Sequence, residues 1–435
     1  MFSSSRLSPS RRAVLGAGLS CLLAGCSGGP ARRDGEEHRP CAAPAMSDPP
    51  LGRPSWPVTQ PPGVFAGRPL AVGPALFVAT DDAALTRYDA RTGVRAWRCD
   101  KVHPGTSDSS PLPLVSAGGV VVCGFSPTVE QTVLVGVCAE HGQVLWRHSV
   151  PNPAHLLTVH EGKVLAPIGD GVLAIDAADG RVLWKSPLAQ PKELAVTPDG
   201  ASVIAVSSLR NTIAAYALHD GSVRWTHALP DASDVSAVLG PGQVSTIAFT
   251  WNEAFTDGVT DIVTYEARTG RRMWSRHFSS PGTTSMTVIG DRLLCHVGGA
   301  LLALRTSTGE TAWRLPILTP NVEPHFRRQG DAVLVSTNTM REGLLFSVDP
   351  VAGRILWRKE TKPFSGLSIP VDGVVFVEAG TDDNAVVVAV DASTGDVLWS
   401  ENAEEGAWIV VGEGAVYAVG DREIVGFEAA TGIRL

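Results

Sequence analysis

The side chains that could do chemistry in this chain are few and scattered. The histidines His103, His141, His155, His160, His219, His277, His296 and His325 are scattered along the chain. His160-Glu161 is followed by Gly162-Lys163-Val164, so the two-histidine zinc pattern is absent and the stretch reads as a turn between strands. No Gly-x-Ser-x-Gly elbow offers an activated serine, and no Gly-Lys-Ser/Thr loop offers a phosphate cradle. Asp382 and Asp383 beside Asn384 could attract a cation weakly, but they read as a solvated loop. On residues alone, the chain is expected to have no catalytic group, no metal site and no cofactor.

The cysteines add little. Beyond Cys26 lie Cys41, Cys99, Cys123, Cys138 and Cys295, an odd number, so at least one stays unpaired within a monomer. Cys123 and Cys138 are expected on neighbouring strands, but mirroring the register about the intervening loop does not set them opposite each other. Burial as small apolar residues is the default expectation.

The elements that must carry these residues are written in a repeat. A Gly followed four residues later by Trp recurs at Gly93/Trp97, Gly142/Trp146, Gly180/Trp184, Gly221/Trp225, Gly270/Trp274, Gly309/Trp313, Gly353/Trp357 and Gly395/Trp399. Eight of the 11 tryptophans thus occupy one position of a repeat spaced by 38 to 49 residues. A ninth, clipped copy, Glu428-Ala429-Ala430-Thr431-Gly432, precedes the last residue, Leu435. Each Gly follows an alternating apolar run, such as Val386 to Val390, and opens a second strand carrying the Trp. The link Asp391-Ala392-Ser393-Thr394-Gly395 suits a turn closed by a residue of positive φ, with the Asp side chain bonding the turn amides. Two further apolar runs lie upstream of each hairpin, which makes four strands per unit. Four strands at a period of about 40 residues specify an all-β fold, a β-propeller. The eight tryptophans are expected to pack between neighbouring blades, where their area fills the gap between sheets.

The phrases Asp-Ala-Ser-Thr-Gly-Asp-Val-Leu-Trp (391–399), Asp-Ala-Ala-Asp-Gly-Arg-Val-Leu-Trp (176–184) and Ala-Arg-Thr-Gly-Arg-Arg-Met-Trp (267–274) resemble the tryptophan-docking repeat of PQQ-like propellers. The resemblance covers residues 65 to 435. It implies the fold, but not one activity, since the superfamily holds both quinoprotein alcohol dehydrogenases and a non-enzymatic outer-membrane assembly lipoprotein. The vicinal Cys-Cys pair that such dehydrogenases place beside the quinone is absent. Nine repeat units can be counted, whereas eight blades are usual in the superfamily. Eight are therefore favoured, with one terminal unit shared or displaced and the ring closed by strands from both termini; nine closing the ring is the rival reading.

The N-terminus carries its own signals. Arg6, Arg11 and Arg12 precede an apolar run from Ala13 to Ala24, too short to span a bilayer. Ser10-Arg11-Arg12-Ala13-Val14-Leu15 resembles a twin-arginine export signal, and Leu23-Ala24-Gly25-Cys26 resembles a lipoprotein cleavage site that leaves Cys26 as the acylated first residue. Residues 1–25 are thus expected to be a signal peptide. Residues 26–64, which include Pro30, Pro40, Pro44, Pro49, Pro50, Pro54, Pro57, Pro61 and Pro62, are expected to form a flexible tether. The propeller takes up 65–435.

A net charge of −8 without a basic stripe argues against nucleic acid and against steering to anionic lipid. The longest insertions fall in second-to-third strand loops and blade-to-blade links, which share one face of a propeller: 99–111, 126–131, 250–261, 338–343 and 380–384. Loops that depart from a rigid repeat carry binding. Within 250–257, Trp251, Asn252, Glu253 and Phe255 form the candidate binding loop, unless that loop folds back on its own blade. Two functions follow. One is a non-enzymatic binding or scaffold lipoprotein on the outer face of the cell membrane, with a protein or envelope-polymer partner. The alternative is a tethered quinoprotein oxidoreductase with a quinone in its channel.

Overall fold

A computed structural model describes residues 68–435, excluding some single positions and short stretches such as 103–113, 152–156, 252–256, 318–321 and 380–384. The signal peptide, Arg11, Arg12, Cys26 and the tether lie outside the described residues, as do Asn252, Glu253 and Phe255.

Nine antiparallel sheets follow one another along the chain as blades of one ring. Blade 1 spans Leu70–Cys99, blade 2 Val115–Pro151, blade 3 Thr158–Pro187, blade 4 Glu193–Ala228 and blade 5 Asp234–Phe278. Blade 6 spans Gly282–Leu315, blade 7 His325–Thr361, blade 8 Phe364–Asn402 and blade 9 Trp408–Glu428. Eight sheets have four strands in simple sequential order, and the ninth has three. The first strands of successive blades approach one another and so line the central axis, which leaves the tryptophan-bearing fourth strands at the rim.

Strand alternation explains why each blade is apolar on both faces. In blade 1, Phe77 and Leu85 point toward blade 2, whereas Leu76, Val78 and Tyr88 point toward blade 9. Nine apolar clusters fill the nine blade-to-blade interfaces in this way.

The count of nine units therefore stands, and the preference for eight blades is corrected. That preference assumed closure by a mixed blade built from both chain ends. Blade 1 instead completes its own four strands, and blade 9 keeps three, its outer edge reduced to a single bridge between Phe427 and Arg434. Closure is by face-to-face packing: Val410, Tyr417, Val419 and Ile424 of blade 9 against Leu76, Val78 and Tyr88 of blade 1.

Candidate functional site

The repeat signature builds a latch between blades. The docking glycines all adopt left-handed backbone, with φ between 67° and 77°. In the last complete repeat, the Asp391 carboxylate accepts from the Ser393 and Thr394 amides at 2.8 and 3.1 Å, and Gly395 N–H donates to the Asp391 carbonyl at 2.8 Å. The Ser393 hydroxyl, which donates to the same carboxylate at 2.6 Å, and then the two amides hold the Asp391 carboxyl below its ordinary pKa. The turn presents Gly395 flat against the Trp357 ring of the preceding blade, and a Cβ there would lie 2.5 Å from the indole. Glycine is required twice, for its φ and for the close approach.

Every described docking tryptophan repeats this arrangement one blade onward. The indoles of Trp97, Trp146, Trp184, Trp225, Trp274, Trp313, Trp357 and Trp399 lie against Gly142, Gly180, Gly221, Gly270, Gly309, Gly353, Gly395 and Gly432 respectively. Each Nε1–H donates to the carbonyl three residues before that glycine, at 2.7 to 3.2 Å. Three side chains two residues beyond a tryptophan add a second tie to the glycine carbonyl itself: Ser186 to Gly221, His227 to Gly270 at 2.6 Å, and Lys359 to Gly395 at 2.9 Å. The sequence does not reveal this second tie, because serine, histidine and lysine share no pattern.

At the interface of blade 9 with blade 1 the donor is different. Tyr417, on the middle strand of blade 9, donates its hydroxyl to the Ala90 carbonyl of blade 1 at 2.7 Å. Ala90 stands three residues before Gly93, so Tyr417 reaches the acceptor that an indole takes at every other interface. Burial raises the Tyr417 phenol well above its ordinary pKa, which keeps it a donor.

The candidate binding loop is shorter than the sequence suggested. Strand pairing in blade 5 runs out to Trp251 opposite Gly258, so Trp251 belongs to the strand Gln243–Trp251 rather than to a loop. The cause is alternation: Phe249 and Trp251 share one face, and their rings meet edge-on at 6.4 Å between centroids. Thr250 Oγ1 donates to the Asp231 carbonyl at 3.0 Å, tying the hairpin to the preceding link. Trp251 stays half-buried at the hairpin end.

Among the described residues no group of three or more His, Cys, Asp or Glu could hold a metal ion. His277 pairs with Asp261 at 2.9 Å on the surface of blade 5. His160 ends the first strand of blade 3, and the Glu161-Gly162 pair turns it back with φ of 46° and 76°. Cys123 lies opposite Val135, and Cys138 opposite Val120, and both thiols are free. Burial pushes the Cys295 thiol up to about 12, which makes it an apolar filler rather than a nucleophile. The structure thus offers the blade 5 hairpin end and the central channel as the places where something could bind. Around the channel, Arg68 and Arg327 are functional candidates that sequence reading missed; single arginines in different blades carry no local signal.

A ring of four-stranded blades latched by outer-strand tryptophans is a PQQ-like β-propeller. The chain belongs to the family described as outer membrane protein assembly factor BamB, which matches residues 46–156, 130–248, 243–340 and 341–435. It is similar to the outer membrane protein assembly factor BamB of Burkholderia pseudomallei, 28% identical over 357 residues, 78% of this chain and 65% of that protein. The corresponding protein of Bordetella pertussis is 25% identical over 195 residues, 42% of this chain and 47% of that protein. The chain thus spans about two thirds and about half the length of these curated relatives. The crystal structure of BamB from Moraxella catarrhalis shares the fold, with a TM-score of 0.50 at 16% identity over 85% of this chain and 98% of that one.

Proposed function

We propose that this protein is a non-enzymatic scaffold, held by a lipid on Cys26 at the extracytoplasmic side of the membrane, that binds a protein partner of the cell envelope. The family match along nearly the whole of 46–435 is the observation that carries this reading, because the named relatives are assembly factors. Assembly is done by contact rather than turnover, and a rigid ring with departures on one face suits it. The looped face is the contact surface, with Trp251 at the end of the blade 5 hairpin as an anchor. Its ring offers a large apolar area beside polar neighbours, the profile of an interface hot spot.

Export through Arg11 and Arg12 and acylation of Cys26 would supply an apolar anchor. No helix among the described residues is long and apolar enough to cross a membrane. Site-specific photo-crosslinking in the native host tests the proposal. A crosslinker at Trp251 should give a discrete protein adduct, and one at Val397, exposed on the rim of blade 8, should give none. Equal adducts from both positions would remove the looped face as the contact surface. In parallel, Cys26→Ala should leave the ring folded but free it from the membrane fraction. A mutant that still pellets after a high-salt wash counts against the lipid anchor.

A further inference from the structure

The channel holds an unassigned cavity. It has a volume of about 470 Å³ and is walled by the inner edges of blades 1, 2, 8 and 9. Leu70, Leu114, Ile369, Ile409 and Val411 make its wall aliphatic, and Arg68, just ahead of the first strand, is the charged group in it. The size falls within the roughly 300–1,000 Å³ of small-molecule sites, and an apolar wall with few polar groups is their usual lining.

A second guanidinium, which does not line the cavity, interacts with the first through its charge. Arg327, on the inner strand of blade 7, feels the charge of Arg68, and burial and that like charge together lower its pKa. Its Nη1 donates to the Phe326 carbonyl at 2.9 Å, while its Nε is buried with no hydrogen-bond partner. Neither arginine forms an ion pair with an acid among the described residues. The acids on the inner strands of blades 4 and 5 are already engaged: Glu193 accepts from Ser236 and Ala237 at 3.0 and 3.1 Å, and Asp234 from Lys192 at 2.6 Å. A like charge and a buried donor without a partner make Arg327 a place where an anion is favoured.

We infer that the channel binds a small amphiphilic carboxylate, its head on Arg68 and Arg327 and its aliphatic body along the wall of Leu70, Leu114, Ile369, Ile409 and Val411. The guanidinium fork matches a carboxylate in plane and charge. An inorganic anion would leave the aliphatic wall unused, and a neutral alkyl chain would leave the guanidiniums unpaired. The inference is independent of the looped face and of any partner bound there.

Isothermal titration of the full chain with octanoate, 1-octanol and inorganic phosphate tests it. Octanoate should bind one per chain and more tightly than either of the others. Arg68→Gln and Arg327→Gln should each weaken octanoate by about tenfold, the scale of one charge-assisted hydrogen bond, and leave 1-octanol nearly unchanged. Ile409→Trp, which fills the cavity, should weaken both. Arg68 is exposed and precedes the first strand, so its variant keeps the test alive if Arg327→Gln fails to fold. No octanoate binding, octanoate affinity unchanged in the Arg68 variant, or phosphate binding as tightly as octanoate would each overturn the inference.

Discussion

His296 has no exposed surface, and neither of its ring nitrogens has a hydrogen-bond partner. It sits on the second strand of blade 6, and burial pushes its pKa down from 6.5 to about 4, against the opposing pull of the Glu323 carboxylate. The folded protein therefore holds a neutral imidazole where the unfolded chain takes up a proton more readily. Because the folded pKa is depressed, its contribution is fully present above about pH 6.5 and is lost as pH falls from there toward 4. The loss should reach on the order of 3 kcal/mol at most. His296→Leu removes the titration without a new polar group, so denaturant midpoints measured across this range should fall less steeply in the variant than in the parent. Parallel slopes would mean that other groups set the acid sensitivity. The residue shows the limit of sequence reading: a histidine in the strand Arg292–Val297 carries no local sign that the interface facing it is dry.

At the scale of the element, the hairpin of blade 5 separates scaffold from surface. Its tryptophans occupy different environments: Trp274 is 8% exposed and latched to Thr306 at 2.7 Å, whereas Trp251 is half-buried against Phe249 alone among described rings. Trp274→Ala removes ring, hydrogen bond and cover for Gly309 together, and should cost about 3–5 kcal/mol. Trp251→Ala loses one edge contact at a strand end and should cost about 1 kcal/mol, nearer to an ordinary surface change. Denaturant melts that rank Trp251 as the larger loss would reverse this division of the hairpin. The fourth-strand repeat was legible because it depends on local chemistry, an Asp-capped turn, a left-handed Gly and a Trp four residues on. The extent of the strand ending at Trp251 was not, because it rests on the pairing of Thr250 with Val259 and Trp251 with Gly258, a register that no local pattern carries.

At the scale of the whole molecule, the ring must close, and Tyr417 adds a hydrogen bond to the packing that closes it. Eight interfaces carry an indole on the next blade's turn, and at the ninth the acceptor, the Ala90 carbonyl, is met by the Tyr417 hydroxyl instead. The repeat gave nine units, but ring size depended on how the first and last blades meet, and that contact joins residues 327 apart in sequence. No period encodes it, which is why the usual blade number misled. Tyr417→Phe keeps the ring in the cluster with Leu76, Val78 and Tyr88 and removes the bond, leaving the Ala90 carbonyl short of a donor in a buried seam. The expected cost is about 1–3 kcal/mol. The loss should appear as opening at this seam before global unfolding. Hydrogen exchange should speed up at amides of 70–90 and 408–428 in the variant while blades 4 to 6 keep their protection. A uniform rise around the ring would instead mean that the closing interface is no weaker than the rest, and that Tyr417 serves as one more latch among equals.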